Sequence, residues 1–438
     1  MSPPISGSAS PPLPTSVPVP RTRQIIAAVI GNALEWYDFV VYGFMTLIIS
    51  RLFFPAESEY TALLLTMATF GVGFFMRPVG GIVLGLYADR KGRKAALQLI
   101  ILLMTIAIAM IAFAPTYAAI GVGAPLIIVL GRLLQGFATG GEFASATSFL
   151  VESAPAHRRG FFGSLQMVGQ SVAALAGVMA GMLVTKVFSP EQLDAWGWRI
   201  PFIIGLLIGP VGLYIRRHLE ETEAFVAVSK SGVAKASLSA LLREHTRSVA
   251  VCFGLVMAGT ISYYVVLVYM PTYAKTQLGI PLNEAFIAQA AGLVCLTVLI
   301  PVFGALSDRI GRRPILIAFS VTYFFALYPL FAWVQAEPSL MRLAVMQVIL
   351  CSVIAMAFGP LSTALAEQFP ARVRSTGLAL AYNFAVMIFG GFASLIVTWL
   401  IRVTGSPLAP AFYVMFGALA GFGASLFLVE RNKDKVLH

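Results

Sequence analysis

Charge is what this sequence has least of. Only 11% of its 438 residues are Asp, Glu, Lys or Arg, while 58% are apolar. A soluble fold needs far more polar surface, so the scarcity points to lipid as the solvent around most of the chain. Cysteine is nearly absent as well. Cys252, Cys295 and Cys351 are odd in number and all fall inside apolar runs, which argues against a disulfide framework or a metal site and for small apolar core residues. The four histidines, His157, His218, His245 and His438, lie between or beyond those runs, so there is no histidine cluster for a metal or for catalysis. A membrane enzyme therefore lacks its chemistry, and no cofactor is expected. Short stretches of alternating polarity are missing too, which excludes a β-barrel.

What is present is a series of apolar runs of the length that crosses a bilayer, about 20 residues each. Helices are expected near 24–50, 60–88, 95–113, 124–152, 161–186 and 198–216, then near 248–275, 284–307, 314–335, 340–366, 375–402 and 408–429. The expected fold class is an all-α membrane protein of twelve transmembrane helices in two six-helix bundles. Its parts would be a cytoplasmic tail (1–22), an N-terminal bundle (23–216), a central linker (217–247), a C-terminal bundle (248–429) and a short tail (430–438). The first 20 residues hold seven prolines and no charged side chain, the composition of a disordered tail and not of a signal peptide.

Basic residues fix the orientation. With the N-terminus inside, 22 of the 30 Lys and Arg fall in cytoplasmic segments, and only Arg51, Lys186, Arg199, Lys275, Arg342 and Arg402 fall opposite. Both termini are thus expected in the cytoplasm. The net charge of +11 becomes a topology signal facing anionic lipid, and nucleic acid is not an expected partner.

Two loops nearly repeat. Gly85-Leu-Tyr-Ala-Asp89-Arg90-Lys-Gly92-Arg93-Lys94 follows the second expected helix, and Gly304-Ala-Leu-Ser-Asp308-Arg309-Ile-Gly311-Arg312-Arg313 follows the eighth. Glu152, Pro155 and Arg159 after the fourth helix recur as Glu367, Pro370 and Arg374 after the tenth. Two ordered pairs in matching places mean a duplicated bundle, the construction of secondary transporters whose substrate sits between the halves.

These strings resemble a known family. Gly-x-x-x-Asp-Arg-x-Gly-Arg-Arg/Lys is similar to the hallmark loop of the major facilitator superfamily, and Gly131-Arg132-Leu-Leu-Gln135-Gly136 resembles its helix-4 motif. Gly31-Asn-Ala-Leu-Glu35-Trp-Tyr-Asp38-Phe, Phe53-Phe-Pro-Ala-Glu57-Ser, Phe75-Met-Arg77-Pro78-Val-Gly-Gly, Trp196-Gly-Trp-Arg199-Ile-Pro-Phe and Glu367-Gln-Phe-Pro-Ala-Arg-Val-Arg374 look like its metabolite:proton symporters. Phe-Phe-Pro-Ala-Glu-Ser and Tyr269-Met-Pro-Thr-Tyr273 most resemble the citrate and tricarballylate symporters, while 2-oxoglutarate, shikimate and proline/betaine members share most other strings. The resemblance implies proton-coupled import of a small organic acid by alternating access across a bacterial inner membrane, with no obligatory protein partner. An efflux antiporter of the same fold is the rival. Such antiporters carry Gly-Pro in helix 5, and here Gly169 to Gly181 contains no proline.

Five charges fall at membrane depth: Glu35 and Asp38 in helix 1, Arg77 in helix 2, and Arg132 and Glu142 in helix 4. Such charges are costly and mark transport paths. Asn32, Glu35, Asp38 and Tyr42 follow three- and four-residue steps, as do Arg132, Gln135, Thr139 and Glu142, giving two polar stripes that suit a wet cavity. The alternative is a set of structural ion pairs, with Arg77 only pinning helix 2. Asp38, Glu142 and Glu35, with Arg132 as neighbouring cation, are the candidates for proton coupling, because a desolvated carboxylate near an arginine can exchange a proton. Arg77, Arg132, Asn32, Tyr42, Gln135, Gln166 and Gln170 are candidate substrate contacts from the first half. The second half offers no buried charge, only hydrogen-bonding groups such as Thr260, Tyr263, Tyr264, Gln289, Ser352 and Asn383. By the resemblance, Asp89 approaches the start of helix 11 and Arg93 pairs with Glu152 to latch the cytoplasmic side. Asp308, Arg312 and Glu367 would repeat this around helix 5.

Overall fold

The computed structural model describes residues 21–91, 93–140, 142–217, 243–370 and 373–430. The expected tails and the central linker lie mostly outside the described residues. Every described element is helical. Eight helices are long and apolar enough to cross a membrane. A bent pair, Val29–Phe44 with Thr46–Phe53, and the shorter apolar helices Gln98–Ala112, Gly123–Thr139 and Gly197–Leu206 bring the spans to twelve.

In chain order, α1 is Arg21–Phe44 followed by Thr46–Phe53, α2 is Glu59–Lys91, and α3 is Arg93–Ala112. α4 is Gly123–Thr139 followed by Glu142–Glu152, α5 is Arg159–Val187, and α6 is Ile200–Arg217. α7 runs from Thr246–Ser262 through a π-helical segment, Tyr263–Val268, into Met270–Gln277. α8 is Leu282–Ile310, α9 is Arg312–Ala336, and α10 is Leu340–Glu367. α11 comprises Arg374–Ala385, a π-helical segment Val386–Gly390, and Ala393–Thr404; α12 is Ala409–Leu426.

Four spans expected to be continuous are interrupted. α1 bends by 63° after Phe44. There the Thr46 hydroxyl donates back to the Gly43 carbonyl at 2.7 Å, a bond that competes with the helical ladder. α4 breaks at Gly140, whose carbonyl instead accepts from Asn383 Nδ2 of α11 at 2.7 Å. In α7 the ladder shifts by one residue, with Tyr269 N donating to Tyr264 O at 2.9 Å. Gln347 Nε2 of α10 donates to the Val266 carbonyl of that π segment at 3.1 Å and to Gln289 Oε1 at 2.7 Å. In α11 Gly391 N likewise donates to Val386 O at 3.0 Å. π segments inside spanning helices often mark functional positions.

Small residues let α2 and α4 touch backbone to backbone. A Cβ on Gly136 would stand 1.5 Å from the Gly73 carbonyl oxygen, and one on Gly80 would stand 1.8 Å from that of Phe137. In lipid, where helices gain little from burying apolar surface against each other, such close approach is what holds a bundle. Between the halves, α5 packs on α8 and α10, and α4 on α11.

Candidate functional site

The two halves close on each other at both ends. At the end carrying the loop of Gly311, Asp308 accepts from the backbone amides of Gly160 and Phe161 at 2.7 and 3.0 Å. Those amides open α5, where the helix dipole favours an anion. Arg312 holds Asp308 at 3.0 Å and Glu367 at 3.1 Å. Gly311 has φ of 100°, a conformation an L side chain resists, which explains the glycine in the loop motif. Glu152 pairs with Arg374 of the other half at 2.6 Å. The expected partner, Arg93, and the latch residue Asp89 have side chains outside the described residues. The Thr363 hydroxyl adds a bond to the Arg159 carbonyl at 2.8 Å. At the opposite end, Thr398 meets the Met67 sulfur at 3.2 Å and Arg402 lies 5.4 Å above the Tyr60 ring.

Two cavities lie between these ends, sharing Trp36 as a wall. The first is small and is lined by Asn32, Glu35, Trp36, Phe39, Arg77, Thr139 and Phe143. The second, also small, is bordered by Gln170, Thr260, Tyr263, Tyr264, Phe358 and Tyr382 together with Trp36. Arg77 of the first cavity and Gln170 of the second are both neighbours of Tyr382. Phe143 and Tyr382, from opposite halves, stack face to face with centroids 3.7 Å apart.

Of the residues expected to meet substrate, Asn32, Arg77, Gln170, Tyr263 and Tyr264 line these cavities. Five others do not. Arg132 is fully buried with its guanidinium 4.5, 4.7 and 4.8 Å from the rings of Phe39, Tyr42 and Phe70. It also donates to Gln135 Oε1 at 2.7 Å, which occupies Gln135 in turn. The Tyr42 hydroxyl donates to the Thr66 carbonyl at 3.3 Å. Gln166 Nε2 donates to Asn32 Oδ1 at 3.0 Å, and Asn383 is committed to the broken turn of α4.

The proton-coupling candidates separate in the same way. Glu35 lines the first cavity beside Arg77. Asp38 is buried away from both cavities against Gly205 of α6, with Arg132 as an electrostatic neighbour. The stripe of α1 is wide, about 120° at 100° per residue, so its two edges face different helices. The side chain of Glu142 lies outside the described residues, and the break at Gly140 interrupts the stripe of α4 before it. Trp36, Phe143 and Tyr382 were not anticipated; aromatic side chains on an apolar helix give no sequence signal that separates a cavity wall from a lipid face. Among the described residues no group of three metal-ligating side chains occurs.

Comparison with known proteins places this geometry. The sequence pattern of the Major Facilitator Superfamily matches residues 28–393. The chain belongs to that superfamily. It is 37% identical over 407 residues to a citrate-proton symporter of Salmonella typhi, covering 93% of this chain and 94% of that one. It is 35% identical over 419 residues to a glycine betaine/proline/ectoine/pipecolic acid transporter of Dickeya dadantii, covering 93% of this chain and 83% of the other. The xylose transporter of E. coli, in a partially occluded inward-open conformation, superposes with a TM-score of 0.76 at 18% identity, covering 94% and 98% of the two chains. The fold is that of a two-bundle transporter of this superfamily, and the chain is a multi-pass membrane transporter and not an enzyme.

Proposed function

We propose that this chain is a proton-coupled symporter that imports citrate or a related tricarboxylate across a bacterial inner membrane, with both termini in the cytoplasm. The observation that carries the reading is the first cavity, where Arg77 and Glu35 border one space lined by α1, α2 and α4 of the N-terminal half, next to a second cavity walled by both halves. Arg77 supplies the planar fork that matches a carboxylate, and its rings, Phe39 at 4.5 Å and Phe74 at 4.4 Å, hold it in place. Glu35 beside it disfavours a second anion unless it carries a proton, and that links substrate loading to protonation. Release to the cytoplasm then requires the contacts of Asp308, Arg312 and Glu367 with α5, and of Glu152 with Arg374, to open. These residues, with Asp89 and Arg93 by analogy, form the gate in this reading. The citrate-proton symporters among the relatives support it, and so does the basic bias of the loops.

A zwitterion such as a betaine is the second reading, favoured by the aromatic walls of the second cavity and by the betaine transporters among the relatives. Competition in proteoliposomes separates the two: excess tricarballylate should block uptake of labelled citrate, while glycine betaine should not. Competition by betaine alone would overturn the acid assignment.

A further inference from the structure

The second cavity holds polar atoms that nothing among the described residues fully satisfies. Among the described residues the hydroxyls of Tyr263 and Tyr264 have no hydrogen-bond partner, although these residues are only 3% and 2% exposed, and the buried amide of Gln170 has at most the Tyr382 hydroxyl beside it. The Tyr263 and Tyr264 rings stand 5.2 Å apart, and both line the cavity together with Tyr382. Buried polar groups without partners cost free energy, and two such hydroxyls with an under-used amide around one space mark a place built for a ligand.

The chemistry of the walls narrows that ligand. None of the described residues lining the cavity carries a formal charge; Arg77, the cation beside Tyr264 and Tyr382, lines the first cavity instead. Trp36, Tyr263, Tyr264, Phe358 and Tyr382 surround it with rings whose faces are negative, which disfavours a bare carboxylate. Such rings would suit a quaternary ammonium. Its methyl groups, however, would leave both hydroxyls and the amide unsatisfied. A neutral carboxyl group has one donor and free acceptor capacity, the complement of two hydroxyls and an amide N–H. We propose that the second cavity receives an uncharged, protonated carboxyl end of the substrate while Arg77 holds an ionised carboxylate in the first. The transporter then selects a partly protonated species of the acid, and part of the proton flux travels on the substrate itself. This rests on the acid-symporter reading.

The test compares tricarballylate with its monoamide, whose amide imitates a neutral carboxyl at every pH, as inhibitors of labelled citrate uptake by the full-length protein in liposomes. The ratio of their potencies, taken at pH 7.5 and pH 5.5, cancels any titration of the transporter that affects both. The inference expects the monoamide to gain on the parent acid at pH 7.5 and to lose that advantage at pH 5.5. Tyr263→Phe and Tyr264→Phe should each weaken the monoamide about five- to tenfold, the loss of one hydrogen bond, with folding checked by melting temperature. A monoamide that fails to inhibit at either pH, while citrate is transported and tricarballylate inhibits, overturns the neutral-end assignment alone. Absence of citrate uptake at any pH overturns the acid reading and this inference with it.

Discussion

Arg77 and Arg132 both rest their guanidinium groups on aromatic rings, yet only Arg77 borders a cavity. The sequence placed them alike, because each is a lone cation in an apolar helix, and periodicity cannot tell a cavity wall from a packed interior. Their substitutions by lysine should therefore differ. Arg77→Lys keeps the charge but loses the fork, so apparent affinity for the acid should fall by about 1–3 kcal/mol while the melting temperature changes little. Arg132→Lys should instead lower the melting temperature in detergent, because it loses ring contacts and its bond to Gln135, and surviving protein should bind substrate almost normally. Reversed outcomes would move the substrate to Arg132. The acids divide in the same manner. Glu35→Gln should abolish accumulation driven by a pH gradient while preserving exchange of labelled for unlabelled substrate, which needs no net proton movement. Asp38→Asn, buried against α6, tests the alternative: if it alone uncouples transport, the proton site lies inside the N-terminal bundle. Gln166 and Asn383 were legible as polar, but their partners lie on other helices, and spacing along one helix does not reveal those; Gln135 pairs with Arg132 one turn away, which the spacing allowed but did not distinguish from a shared cavity face.

Elements that touch through glycine carry predictions of a different kind. Gly136→Ala puts a methyl group 1.5 Å from the Gly73 carbonyl oxygen, a backbone atom that cannot step aside, so α2 and α4 must separate. That variant should express poorly or melt far below wild type. Gly423→Ala in α12 meets nothing within 4 Å and should be silent or slightly stabilising, since alanine favours a helix by up to about 1 kcal/mol over glycine. Equal behaviour of the two variants would contradict the crossing. Asp308→Asn removes the charge from two bonds to the start of α5 without disturbing the packing. Spin labels at His157 and Arg309, in a background without native cysteines, should move apart in that variant if the contact holds the two halves together. An unchanged distance distribution would leave the loop a topology signal only. The helices themselves were readable from apolar length, and the loops from their repeat. The break of α4 and the π segment of α7 were not, because Asn383 and Gln347 act through bonds that depend on which helices end up adjacent, and the local bond of Thr46 is one that helical threonines also make without a bend.

For the whole molecule, the duplicated loops and the even number of spans already implied two bundles of six, and the fold agrees. What the sequence left open was how the halves meet. They close through Asp308 on α5 and Glu152 on Arg374 at one end, and through Thr398 on Met67 at the other. Pairs such as Asn383 and Gly140 join residues far apart in the chain, so no local pattern announces them. An arrangement closed at both ends around two small cavities fits a transporter that must never open to both sides at once. The central claim is that substrate and protons cross together. Proteoliposomes containing the purified protein, loaded at pH 7.5 and diluted into labelled citrate at pH 5.5, test it most directly. The account predicts accumulation above the external concentration that collapses when a protonophore is added. Uptake that only equilibrates, unaffected by the gradient and the protonophore, would contradict it.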